Sequence, residues 1–319
     1  GLGAGTAAMI ACMADVVIMT EKSELFMTAP FTADDKTAGA GTAENAAKSG
    51  VAAILAKDSD EAIAKAKQLL SVLPANNLET AGNDYYMEND ATVSADLKGT
   101  DLINAVADKE SVIELYKQFG TSAVTALASL NWRTVGFVGT NNGTKLTAQD
   151  SAKIARFVTL CDAYSIPVVT FVDSEGFEKS SAAELAGSIR DSAKLAQAYA
   201  SATTAKIAVV TGKAYGSAYV ALASTAAGSD FTFAWENAVI APTTPEAAVV
   251  FLNGVSEDNA KQAQEYAENE ADAFTAAANG YVDRVITADD TKSALTSAIE
   301  ATSSKRVVAP AKKHVNFVY

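Results

Sequence analysis

Two short runs of small residues could hold a negatively charged oxygen. Gly3-Ala4-Gly5-Thr6 stands ahead of an apolar run from Met9, and Ala214-Tyr215-Gly216-Ser217-Ala218 follows the apolar run around Val209. A tight turn at a helix start leaves the first-turn amides without an intrahelical acceptor, and the aligned peptide dipoles favour an anion there. Small residues let a carbonyl oxygen come close to those amides. Each run taken alone has a plainer reading. Glycine turns occur in many folds, no strand is visible ahead of the first turn, and Gly216 would equally suit a strand-to-helix packing turn in which a side chain clashes. A dinucleotide fingerprint fits worse, because it needs glycine where Thr6 stands and an acidic residue after the next strand.

Other chemistry-bearing residues are sparse. His314 is the single histidine and Cys12 and Cys161 are the only cysteines, so a nitrogen-and-sulfur metal site has almost no ligands. A disulfide framework is not expected, which makes a reducing compartment, the cytoplasm, the natural setting. His314 within KKHVN reads as a solvated tail residue, Asp173 and Glu175 as loop carboxylates, and Trp132, Trp235 and Cys161 as packing residues. The formal charge of −13, with Lys and Arg not gathered into one block, repels phosphate backbones and anionic lipid, which argues against nucleic acid as a partner. With 49% hydrophobic and 20% charged residues the chain has the balance of a folded globular protein, and no run is apolar and long enough to cross a bilayer.

The elements that must position the two turns follow from periodicity. The apolar run from Met9 to Ile18 predicts a helix, Glu24 to Met27 a short strand, and Thr32 to Ser49 irregular chain. Ala62, Ile63, Ala66, Leu69, Leu70 and Leu73 line one face of a helix that Pro74 ends. The polar stretch from Ala75 to Val93 reads as a linker. Beyond it, strands and helices alternate: Thr134–Val138, a helix over Asp150–Tyr164, Val168–Val172, a helix over Ala182–Ala200, Ile207–Thr211, a helix after Tyr219, Phe231–Trp235, and a long helix from Ser256 to Asn279 ended by Gly280. Runs such as IPVVTFVD and KIAVVTG are apolar throughout, as strands covered on both faces are, so a layered α/β domain with parallel strands is expected in a chain of 319 residues with room for two domains.

Three ordered blocks, NWRTVGFVG, KIARFVTLCDAYSIPVVTFVDSEGF and KIAVVTGKAYGSAYVALAS, resemble the C-terminal domain of the carboxyltransferase subunits of biotin-dependent acyl-CoA carboxylases and decarboxylases. GLGAGTAAM and DVVIMTEKSELFMTAP are similar to the N-terminal domain of that family, and FTFAWENAVIA, GYVDRVI and KKHVN also match family positions. The resemblance implies a crotonase/ClpP-like ββα superhelix in two related domains, the first incomplete at its N-terminal side. It divides the chain into residues 1–78 (acyl-CoA domain), 79–95 (linker) and 96–319 (biotin domain), with the active site between two subunits of a homodimer or higher oligomer.

The implied activity moves a carboxyl group between a malonyl-, methylmalonyl- or glutaconyl-type CoA thioester and biotin on a separate carrier protein or domain. By the same resemblance Gly5 and Thr6 form the hole for the acyl thioester oxygen, and Ser217 and Ala218 the hole for the biotin ureido oxygen. Ala214, Tyr215, Gly216, Phe177 and Val220 border the biotin and acyl pockets. Many relatives carry glycine where this chain has Thr6 and Ser217. The family mechanism calls for no side-chain base, so proximity and two amide-lined holes carry the rate. Two other function classes share these features. A crotonase-like enoyl-CoA hydratase or isomerase uses the same thioester hole but needs positioned Glu or Asp acids, and an inactive fragment or assembly module needs neither.

Overall fold

The computed structural model describes residues 1–29, 32–33, 39–79, 87–140 and 145–308, which leaves His314 outside the described residues. The first part carries two small parallel pairs. Strand β1 (Leu2–Ala4) pairs with β3 (Glu24–Phe26), and β2 (Ile18–Thr20) pairs with β4 (Ile54–Ala56). Helix α1 (Thr6–Cys12) follows β1, α2 (Ala43–Lys48) precedes β4, and α3 (Ser59–Val72) follows it. Two expectations are corrected here. The helix from Met9 ends at Cys12, and Ile18 belongs to a strand. The stretch expected to be irregular contains α2, whose start is set by the Thr42 hydroxyl accepting from the Asn45 amide and whose exposed face carries a Glu44–Lys48 pair.

Runs of apolar residues need cover on both faces, and the largest sheet is built from them. It comprises β5 (Ile113–Leu115), β6 (Ala123–Leu130), β7 (Arg133–Thr140), β8 (Val168–Ser174), β9 (Lys206–Tyr215), β10 (Phe231–Trp235), β11 (Val239–Ala241) and β12 (Arg284–Ile286). The order is β12-β10-β9-β8-β7-β6-β5, with β11 paired to the end of β9. Side chains alternate between two cores. Val168 and Val172 point to one, with α5 (Ala148–Ala163), α7 (Ser188–Ser201) and α8 (Gly216–Leu222), and Val169 and Phe171 point to the other, with α4 (Gly99–Val106) and α12 (Thr291–Ala301). The first core also takes in Ile54, Leu69 and Val72, so residues of β4 and α3 are packed onto the large sheet. Two bonds join the same parts: the Tyr116 amide donates to the Ala53 carbonyl at 2.8 Å, and the Thr134 hydroxyl to the Val72 carbonyl at 2.7 Å.

The sheet is mixed where the sequence reading expects parallel strands. β5, β6 and β7 are antiparallel neighbours, and the rest of the sheet runs parallel. The β6–β7 turn puts Asn131 at φ 49° and Trp132 at φ 71°, the pair of left-handed residues that matches the twist of a two-residue hairpin. Asp108 stabilises it by accepting from both turn amides, at 3.1 and 3.3 Å, and from the Ser129 hydroxyl at 2.6 Å. Trp132 is therefore an exposed turn residue and not the packing residue expected, whereas Trp235 is buried and donates to the Thr291 hydroxyl at 2.9 Å.

Two expected helices are each split. Gly187 at φ 81° separates α6 (Ser181–Ala186) from α7. The long C-terminal helix is α10 (Asn259–Asn269) followed by α11 (Ala273–Ala278), which restarts where the Asp272 carboxylate accepts from the Phe274 and Thr275 amides. Helix α9 (Pro245–Asn253) lies against α10, and much of its apolar surface faces outward.

Candidate active site

The two small-residue turns are built alike. In the first, β1 pairs in parallel with β3 and ends at Ala4; Gly5 follows at φ 56° and ψ −127°, and α1 begins at Thr6. The strand before the turn is thus present, although the sequence does not show it. In the second, β9 pairs in parallel with β11 and ends at Tyr215; Gly216 follows at φ 54° and opens α8. Neither helix start has a side-chain cap, an absence they share with α4, α7, α10 and α12; what sets these two apart is the left-handed glycine at the junction of a parallel-paired strand and the helix. An uncapped start leaves its amides for a ligand or solvent.

Glycine is needed for different reasons in the two turns. At Gly5 the space is open, with only the Met27 carbonyl oxygen at 4.0 Å from an added Cβ, so the requirement is the backbone conformation itself. At Gly216 an added Cβ would lie 2.8 Å from the Pro242 carbonyl oxygen, so conformation and space both exclude a side chain. The Gly5 amide is committed: it donates to the Phe26 carbonyl at 2.9 Å. With that bond made, the turn's amides that lack an intrahelical acceptor begin at Thr6. Thr6 and Ser217 are exposed, and the Ala218 side chain is fully buried beneath the second turn.

Around the second turn Ala214 and Tyr215 are buried and Val220 is half exposed. Burial pushes the Tyr215 phenol up to about 12, with the carboxylates of Glu246, Glu175 and Asp173 adding to it, so the ring stays neutral at ordinary pH. Tyr219 donates its phenol proton to the Tyr281 carbonyl at 2.6 Å. Phe177 forms a bridge to Leu146 and packs against the main core, with its ring partly covered. Neither Asp173 nor Glu175 is a free acid: Lys98 lies 2.8 Å from Asp173 and Lys213 2.7 Å from Glu175. Among the described residues no group of three His, Cys, Asp or Glu side chains is placed to hold a metal ion. Cys161 is fully buried, and burial pushes its thiol up, out of the reactive range, while Cys12 is exposed.

The sequence reading missed the place of Asp173 in this site. Its carboxylate sits inside an irregularity of the β8–β9 pairing directly ahead of the second turn, and the only advance sign was Gly212 within an otherwise apolar strand run. What the whole arrangement can do is offer two separate sets of backbone donors to developing oxyanions.

Known proteins resemble this chain over nearly its whole length. The chain is 36% identical to the methylmalonyl-CoA carboxyltransferase 12S subunit of Propionibacterium freudenreichii subsp. shermanii, an alignment covering 98% of this chain and 66% of that one. It is 34% identical to the methylmalonyl-CoA decarboxylase subunit alpha of Veillonella parvula, over 98% of this chain and 66% of the relative. It thus spans just under two thirds of the length of these curated relatives. Its structure matches that of a hexameric transcarboxylase 12S core with methylmalonyl-CoA and methylmalonic acid bound, at a TM-score of 0.91 and 35% identity over all of this chain and 67% of the other. A single-chain long-chain acyl-CoA carboxylase shares the fold, at a TM-score of 0.78 and 23% identity over 93% of this chain and 32% of the other. The fold is accordingly the crotonase-like carboxyltransferase fold. With the model of the carboxyl transferase domain matching residues 1–317, the chain belongs to the carboxyl transferase domain family.

Proposed function

We propose that this chain moves a carboxyl group between an acyl-CoA of the malonyl, methylmalonyl or glutaconyl class and biotin borne by a separate carrier protein or domain. The observation that carries the reading is the pair of matched turns, each an uncapped helix start behind a parallel strand pair, in a chain similar to enzymes named for methylmalonyl-CoA. Residues 1–78 form part of an acyl-CoA domain, 79–95 the linker and 96–319 the biotin domain. The acyl thioester oxygen is held by amides starting at Thr6, with Gly5 shaping the turn. The ureido carbonyl of biotin is received at the Gly216 turn, where a Cβ would meet the Pro242 carbonyl oxygen at 2.8 Å and only glycine is admitted. The amides of Ser217 and Ala218 face the ureido carbonyl, Ala214, Tyr215 and Phe177 lie on the biotin side, and Val220 borders the acyl pocket. Biotin, when bound, supplies the site from which the carboxyl group leaves or to which it is attached.

The residues of this chain orient the two substrates and stabilise charge on their oxygens as it develops. Losing one such donor typically costs about 2.7–4 kcal/mol of transition-state stabilisation. The reading includes a second copy of the chain. Leu2, Met9, Ile10, Met13 and Met27 form an exposed apolar rim at the first turn, and a partner that covers it would bring a biotin-side turn against a thioester-side turn. The cytoplasm is the proposed setting.

The test is decarboxylation of malonyl-CoA and methylmalonyl-CoA by the chain, with and without added biotin or biocytin. Turnover that depends on biotin is expected, and Gly216→Ala should lower it by roughly a hundredfold. Hydration of crotonyl-CoA without biotin dependence would favour the hydratase class instead, and an acyl-CoA titration that never saturates would favour an assembly module.

A further inference from the structure

The β8–β9 pairing breaks step just before the biotin-side turn. Val172 pairs with Val210, and Ser174 with Ala214, so the single residue Asp173 faces Thr211, Gly212 and Lys213. A bulge of this kind redirects the strand that carries it, and here that strand delivers Gly216 and Ser217. The space it opens is filled by a carboxylate. One oxygen of Asp173 accepts from the Lys213 amide at 2.9 Å and the other from the Lys98 ammonium at 2.8 Å, while the Asp173 amide donates to the Thr140 hydroxyl at 2.7 Å. Asp173 is only 4% exposed. An added Cβ on Gly212 would lie 2.5 Å from the same Asp173 oxygen that holds Lys213, so the carboxylate and the missing side chain are two halves of one fit. The Lys213 side chain is tied in turn to Glu175 at 2.7 Å.

A buried carboxylate is costly unless it is paired and hydrogen-bonded, and this one is both. Each oxygen already accepts a hydrogen bond and the group is buried beneath the strand, out of reach of a substrate proton, which argues against a general base. The geometry points to Asp173 and Gly212 as a positioning pair that sets the direction in which β9 presents the Gly216–Ala218 amides to biotin. This rests on the carboxyltransferase reading above. Asp173 touches no reacting atom; it acts through the backbone of Lys213 and the two residues that follow it into the turn.

The experiment measures biotin-dependent decarboxylation in the full chain with biotin and acyl-CoA varied separately. Asp173→Asn keeps the shape and loses the negative charge that faces Lys98, and Gly212→Ala drives a methyl group into the carboxylate. Each should lower turnover or raise the KM for biotin by roughly ten- to a hundredfold, the effect of a small misplacement, while the KM for acyl-CoA stays within about twofold. The double variant Asp173→Ala, Gly212→Ala should recover part of what Gly212→Ala alone loses, because removing the carboxylate frees the space, so the two effects are not additive. Equal losses on the biotin and acyl-CoA sides, or strict additivity in the double variant, would overturn the role. Amide exchange across residues 213–218 is read in parallel, and is expected to quicken in Gly212→Ala and slow again in the double variant. A chain with no biotin-dependent turnover overturns the parent reading, yet the exchange still decides whether the pair positions the turn.

Discussion

Gly5 and Gly216 have nearly the same φ, but only Gly216 is also boxed in by a neighbouring carbonyl, so the two turns respond differently to substitution. A second residue with an unusual setting is Lys153. It is 2% exposed and donates to the Gly120 and Ala123 carbonyls at 3.3 and 2.6 Å, which pins the turn ahead of β6 onto α5. Burial pushes its ammonium down to about 8, with Glu114 and Asp150 acting against that. A lysine whose folded value lies below its unfolded value of about 10.4 binds fewer protons folded than unfolded between the two, so stability rises with pH across that window. The rise is about 1.4 kcal/mol for each unit of difference. Urea denaturation of the chain and of Lys153→Met, compared at pH 7 and near pH 10, is expected to show this upward contribution in the native sequence and its loss in the variant. Parallel pH profiles would contradict it.

Short elements depend on a few ties, and α1 shows how. Only Ala8 of this helix is buried, yet the helix begins at the thioester-side turn. Its far end is held from α5: Arg156 donates to the Ala14 carbonyl at 3.1 Å and to the Tyr116 phenol oxygen at 2.7 Å, and its guanidinium lies 5.9 Å from the centre of the Tyr116 ring. Arg156→Gln removes the charge and the reach. Amide exchange in residues 9–13 should then quicken roughly three- to tenfold, the result of losing about 1 kcal/mol of local stability, with α5 unchanged. No local change would mean that the strand pairing of β1 alone holds the helix. The same scale explains where element prediction fell short. α2 is short and alanine-rich, with too few apolar residues for a period to show, and β6, Ala123–Leu130, is made largely of small residues that carry no strand signal until the sheet covers both faces.

The whole molecule presents apolar surface that its own core does not use. On α9 and just beyond it Phe251 is 89% exposed and Leu252 63%, with Val250 and Val255 beside them. An exposed apolar patch of this kind marks an interaction surface. Pairing of copies over this patch as well as over the apolar rim at the first turn predicts a dimer or larger species in sedimentation, and Phe251→Asp should shift it toward monomer and lower carboxyl transfer in parallel. A variant that stays assembled, or a monomer that keeps full activity, would count against a site shared between copies. No helix among the described residues is long and apolar enough to cross a membrane.

The apolar runs of β7 to β10 and the glycines of the two turns were written in the sequence, because burial on both faces and a left-handed backbone each restrict which residues a position accepts. The family blocks were legible for the same reason. Other features were decided only when distant segments met. The antiparallel edge depends on Asp108 reaching the Asn131 and Trp132 amides, and the Gly5 amide is committed because Phe26 lies beside it. The bulge behind Gly216 exists because Lys98, Thr140 and Lys213 converge on Asp173. Such partners are far apart along the chain, and no local pattern of residue types records which of them a buried carboxylate or amide will find.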